Sequence, residues 1–158
     1  VYKRVLVTLD GSPLAEAILP FITEIAGPLD MEVVLLRVVN PVPPQVVEGT
    51  RHVVLEDVEA RLTDAREYLR PLAAQLAARG VRVHAEVRHG NTVTEIMDCA
   101  KSVAADLIAM TTHGRGGLRY VLFGSIAEAV LRQAEVPVFL MRLTERQLRS
   151  RAAHEAVR

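Results

Sequence analysis

Between Met110 and Ser125 the chain reads Met-Thr-Thr-His-Gly-Arg-Gly-Gly-Leu-Arg-Tyr-Val-Leu-Phe-Gly-Ser. The apolar run Leu107-Ile108-Ala109-Met110 leads into it, and a helical pattern from Ile126 to Ala134 follows. Ser125 and Glu128 stand at the spacing of a capping box. A glycine-rich loop that closes on a helix start is an anion site, because free backbone N–H groups and the positive end of the helix dipole point outward together. Arg115 and Arg119 add positive charge. The chemistry indicated is binding of a phosphate-bearing ligand, most simply a nucleotide. Neither G-x-x-x-x-G-K-[ST] nor G-x-G-x-x-G occurs here, so the loop is not a Walker A or dinucleotide fingerprint.

Other polar residues are weaker signals. Asp10 in Asp10-Gly11-Ser12 is ordinary turn chemistry on its own; at the end of a strand that faces the glycine loop, a ligand role gains weight. His113 has no partners at metal-cage spacing and suits a polar contact. Ser125 lacks a G-x-S-x-G elbow, so it reads as a cap that also touches phosphate, not as a nucleophile. No paired acid–base arrangement stands out.

The elements that must position these residues follow from hydrophobic period. Strands are expected at Tyr2–Leu9, Met31–Val39, Val81–Arg88, Leu107–Met110 and Val136–Met141. The third, which alternates apolar and polar residues, is expected near a sheet edge. A helix starts at Ser12-Pro13, carries Leu14, Ala17, Ile18, Phe21, Ile22 and Ile25, and should kink at Pro20. Residues 41–54 read as a loop. A second helix runs from about Glu56, with a kink at Pro71 and a stop at Gly80. A third begins at a second capping box, Thr92 to Glu95. The fourth is Ile126–Ala134, and residues 143–158 form a polar, Arg-rich tail compatible with helix. Strands alternating with helices mean a parallel sheet with right-handed crossovers. The turns after the strands then share one edge, and ligands bind there, where strand order reverses.

Composition sets the frame. The 158 residues suit one domain, and half of them are hydrophobic. Nineteen basic and nineteen acidic residues balance to zero formal charge, which argues against nucleic-acid or anionic-membrane partners. Cys99 is the single cysteine and reads as core packing. No run nears the ~20 apolar residues of a spanning helix, and no leader pattern opens the chain, so the expectation is cytoplasmic.

The loop resembles the signature of the universal stress protein family, G-x-x-G-(nine residues)-G-[ST]. Gly114, the nine residues after it, Gly124 and Ser125 match; Thr111 stands where the first glycine belongs. Val5 to Ser12 resembles the family's opening strand with its Asp, Leu35 to Val38 the end of strand two, and Val136 to Met141 the closing strand. The likeness covers about residues 2–142 and leaves the tail outside. It implies an open, twisted, five-stranded parallel sheet of Rossmann-like order 3-2-1-4-5, helices on both faces, spanning residues 1–142.

The resemblance also implies a function: ATP, AMP or another adenine nucleotide, with or without Mg, bound as a regulatory ligand in stress response with at most slow hydrolysis. Asp10 would lie near ribose and phosphates and Val38 main chain near adenine. Met110, Thr111, His113, Gly114, Arg115, Gly124 and Ser125 would line the site with them, with Thr8, Leu9 and Val138 as apolar walls. Thr111 is expected to resist the positive φ and close approach that glycine permits, so a glycine there should tighten ATP binding. The family implies a homodimer through the Val136–Met141 edge strand and an unknown protein partner. A member that has lost ATP and acts through dimerisation and partner contacts is the alternative. An enzyme of the related adenine-nucleotide α-hydrolase group would require an S-G-G-x-D-S loop, which Asp10-Gly11-Ser12-Pro13 does not supply.

Overall fold

The computed structural model describes residues 1–41, 51–112, 124–143 and Gln147, with backbone alone for 51–57. Among these the elements run β1 (Arg4–Leu9), α1 (Pro13–Glu16), α2 (Leu19–Ala26), β2 (Glu32–Val39), α3 (Arg51–Ala78), β3 (Arg82–His89), α4 (Thr92–Ser102), β4 (Leu107–Thr112), α5 (Ser125–Gln133) and β5 (Val138–Arg142). The strands form one parallel sheet in the order β3-β2-β1-β4-β5. This is the order expected, with the alternating strand β3 at an edge.

Apolar residues of both parities explain why the sheet is covered on both faces. Val5, Val7, Leu9, Val33 and Leu35 pack with Ile18, Ile22, Leu69 and Leu72 under α2 and α3. Leu6, Val34, Leu36, Ile108 and Met110 pack with Ile96, Cys99 and Val130 under α4 and α5. Cys99 is fully buried in that second core, and burial pushes its thiol pKa up. No helix among the described residues is long and apolar enough to cross a membrane.

Local chemistry moves several boundaries. The helix expected to kink at Pro20 is two helices, broken at Ala17-Ile18. Pro20 stands in the first turn of α2, where a missing N–H removes no helical hydrogen bond. Helix α3 starts at Arg51, ahead of the expected Glu56, and continues through Pro71. It stops at Gly80, whose φ of +78° suits a residue without Cβ. Strand β4 extends past Met110 to Thr112.

Neither capping box forms as expected, and both N-caps fall one residue earlier. Asn91, not Thr92, caps α4: its side-chain oxygen accepts from the Thr94 N–H at 3.1 Å. Asparagine is the better cap of the two. Gly124, not Ser125, is the N-cap of α5, and among the described residues no side chain caps that terminus. Glu128 does not reach back, since its carboxylate is held by Arg132 at 2.5 Å one turn on. Ser125 is therefore the first helical residue.

Candidate functional site

The crevice begins where two parallel strands part. The ladder between β1 and β4 pairs Val5 with Leu107, Leu6 with Ile108 and Val7 with Ala109, and ends there. Strand β1 continues to Leu9 against β2, and β4 continues to Thr112 against β5. The last residues of β1 and β4 thus face each other without a shared ladder, at the point where strand order reverses. Backbone groups left this way require other partners. A cavity of about 460 Å³ occupies the opening.

Each wall comes from a different element. Thr8, Leu9 and Asp10 end β1; Met110, Thr111 and Thr112 end β4; Gly124, Ser125, Ile126 and Ala127 open α5. Leu36, Arg37, Val38 and Asn40 come from the end of β2, Thr92 and Ile96 from α4, and Ala15 from α1. The Thr92 hydroxyl donates to the Asn40 side-chain oxygen at 2.6 Å, tying the β2 turn to the start of α4. Arg61 of α3 holds the same turn by donating to the Asn40 carbonyl at 2.8 Å.

Asp10 shapes the β1–α1 turn. Its carboxylate accepts from the Ser12 N–H at 2.9 Å and from the Ser12 hydroxyl at 2.5 Å. Ser12 in turn caps α1, its oxygen accepting from the Ala15 N–H at 3.1 Å. Gly11 between them has φ +87°, and a Cβ there would stand 3.3 Å from the Arg37 guanidinium. The positive φ therefore favours glycine at this turn.

Thr111 does not impose the backbone cost expected of it. It lies in a strand, in register with Met141, and is not among the residues with positive φ. Extended backbone is where β-branched residues fit best. Its hydroxyl donates to the Ala15 carbonyl at 3.3 Å, bracing β4 against α1. Thr112, on the opposite face, is 3% exposed, and its hydroxyl has no partner among the described residues.

Of the residues expected at the site, Thr8, Leu9, Asp10, Val38, Met110, Thr111, Gly124 and Ser125 come together around this cavity. Val138 does not line it. Strand β4 stands between β5 and the crevice, and Val138 pairs with Ile108 and packs on the second core instead. His113, Gly114 and Arg115 lie outside the described residues. Nine lining residues were not expected from the sequence: the polar Arg37, Asn40, Thr92 and Thr112, and the apolar Ala15, Leu36, Ile96, Ile126 and Ala127. Asn40 and Thr92 could have been found as the first polar residues after a strand and a turn on the binding edge. Thr112 required knowing that β4 runs beyond Met110.

A second, more polar cavity of about 380 Å³ adjoins the first and shares Arg37, Val38 and Asn40 with it. Gly11, Val39, Arg61, Asp64, Ala65 and Tyr68 complete its lining. The Tyr68 hydroxyl donates to Glu16 at 2.9 Å. Burial, then that bond, push the Tyr68 pKa well above the ordinary phenol range.

The sequence model of the universal stress protein family matches residues 1–142. The chain belongs to the universal stress protein family. Universal stress protein MJ0531 of Methanocaldococcus jannaschii is 31% identical over 150 residues, 93% of this chain and 86% of that protein. The solved structure of MJ0577 superposes with a TM-score of 0.77 at 24% identity, over 91% of this chain and 98% of that one. Two further structures share the fold. A universal stress protein in complex with cAMP has a TM-score of 0.61 at 19% identity, covering 90% and 98% of the two chains. The Archaeoglobus fulgidus protein in complex with dAMP gives 0.59 at 20%, covering 89% and 98%.

Proposed function

We propose that this universal stress protein binds an adenine nucleotide, ATP or AMP, as a regulatory ligand in stress response, with Mg accompanying the triphosphate and hydrolysis at most slow. The observation that carries the reading is the cavity opened by the parting of β1 and β4, with the N-terminus of α5, uncapped by any side chain among the described residues, in its wall. Helix amides without a side-chain cap attract phosphate oxygens. The cAMP and dAMP complexes of two structural relatives support an adenine ligand.

In this reading Val38 main chain meets the base and Asp10 the ribose. Thr8, Leu9, Met110 and Thr111 form the floor. Gly124 and Ser125 receive phosphate, together with His113, Gly114 and Arg115 of the preceding loop. The protein works in the cytoplasm as a homodimer joined through β5 and passes its nucleotide state to a protein partner.

Thermal melting tests this directly. A ligand at about a hundred times its Kd stabilises the native state by roughly 2.7 kcal/mol. ATP, AMP or both should raise the Tm by several degrees, and GTP should not. An unchanged Tm with every adenine nucleotide would refute the reading. It would favour the second one, a family member acting through dimerisation and partner contacts alone, for which the exposed Phe139 of edge strand β5 speaks.

A further inference from the structure

Resting on the nucleotide reading above, we propose that the adenine ligand carries a second phosphate on its ribose, on the 2′ or the 3′ oxygen, and that Arg37 binds it in the polar cavity beside the crevice. That cavity measures about 380 Å³ and shares Arg37, Val38 and Asn40 with the crevice. By itself it falls within the size of a small-molecule site, roughly 300 to 1,000 Å³. A mononucleotide seated in the crevice makes no use of it.

Arg37 is partly buried, lines both cavities, and makes no hydrogen bond or ion pair among the described residues. Other strand arginines are engaged: Arg4 pairs with Glu32, Arg82 with Asp30, and Arg88 donates to Ser102. Alternation along β2 turns Arg37 away from Leu36 and Val38, toward the face covered by α3. A Cβ on Gly11 would stand 3.3 Å from its terminal nitrogen, so the guanidinium lies over the turn that Asp10 shapes, where the ribose is read. Arg61 of α3 brings a second guanidinium to the same cavity, with one N–H given to the Asn40 carbonyl. Among the described residues Asp64 is the one carboxylate in the lining. The nearby carboxylates of Asp10 and Glu16 accept from Ser12 and Tyr68. Two guanidiniums against one carboxylate favour an anion, and the arginine fork matches phosphate oxygens in pairs. An arginine beside the ribose is also how a dinucleotide fold accommodates a 2′-phosphate.

The test is calorimetric titration of wild type, Arg37→Gln and Asp64→Asn with AMP, adenosine 2′,5′-bisphosphate and adenosine 3′,5′-bisphosphate. The readout is the affinity of each bisphosphate relative to AMP. In wild type one bisphosphate should bind about tenfold tighter than AMP, and which one does so assigns the sugar oxygen. Arg37→Gln should bring that ratio to within about twofold of unity. Asp64 is exposed on α3, so Asp64→Asn should keep the fold; with the opposing charge removed, the ratio should rise about threefold. A wild-type ratio near unity for both bisphosphates overturns the assignment, while AMP binding upholds the nucleotide reading. A tenfold ratio that survives in Arg37→Gln, or one that falls in Asp64→Asn, also overturns it, since the second phosphate would then be held elsewhere. Absence of any adenine nucleotide binding by wild type overturns the nucleotide reading and the assignment with it.

Discussion

At the residue scale the central matter is Thr111. Aligned with a family glycine, it invites the expectation that threonine strains the backbone against the ligand. Its place in β4 removes that argument, because an extended residue paired with Met141 has no need of positive φ. Its hydroxyl bond to Ala15 gives it a structural use that glycine lacks. Thr111→Gly should therefore destabilise the fold by about 1 kcal/mol, the usual cost of glycine in a strand interior. Chemical denaturation would measure this. The same variant should change ATP affinity less than threefold. A gain of tenfold or more would mean that the Thr111 side chain, not its backbone, obstructs the ligand.

Among the elements, a polar cluster ties β1, β2 and β3 together at the end of the sheet opposite the site. Arg4 at the start of β1 donates to Glu32 at the start of β2 at 2.7 Å, and His84 of β3 meets the other Glu32 oxygen at 2.9 Å. The Arg4 hydrogen bond is the largest of the effects that hold the Glu32 carboxyl below its ordinary value of 4.5, ahead of the opposing cost of burial. A lowered folded pKa stabilises above the unfolded value, and the contribution is lost as pH falls through the folded one. Glu32→Gln should cost up to about 1 kcal/mol at neutral pH, as for partly exposed ion pairs. Denaturation curves for the two proteins should converge as the pH is lowered below about 4.5.

The same scale shows how far the sequence could be read. Strands β1 and β2 were legible because Val5 to Leu9 and Met31 to Val39 are largely apolar, β-prone runs; the strand order came from the family resemblance. The start of α1 at Ser12-Pro13 was legible too, but those of α4 and α5 were not, because Thr92 and Ser125 are good caps by type while Asn91 and Gly124 take the position by geometry. Eight of the seventeen residues lining the cavity were expected from the sequence, at the ends of β1, β2 and β4 and the start of α5. Val138 was misplaced, because its position depends on which strand separates it from the crevice. Thr112 was missed, because β4 runs beyond Met110.

For the whole molecule, the two edges of the sheet differ. Strand β3 carries Arg82, His84, Glu86 and Arg88 along its length, charges that discourage pairing with another chain. Strand β5 reads Val138 to Met141 without a charge before Arg142, and Phe139 is 36% exposed. An apolar edge of this kind is a ready surface for a second copy. Phe139→Lys should convert the expected homodimer to monomer, read by light scattering on a sizing column, while the far-ultraviolet spectrum stays that of the wild type. A wild-type monomer would contradict the assembly. A dimer untouched by the substitution would place the interface elsewhere.

The account stands most heavily on the occupant of the crevice between β1 and β4. Calorimetric titration of nucleotide-stripped protein with Mg-ATP, repeated with AMP, tests it most directly. The account predicts saturable binding of one adenine nucleotide per chain. No heat with either nucleotide, together with an unchanged melting temperature, would contradict it.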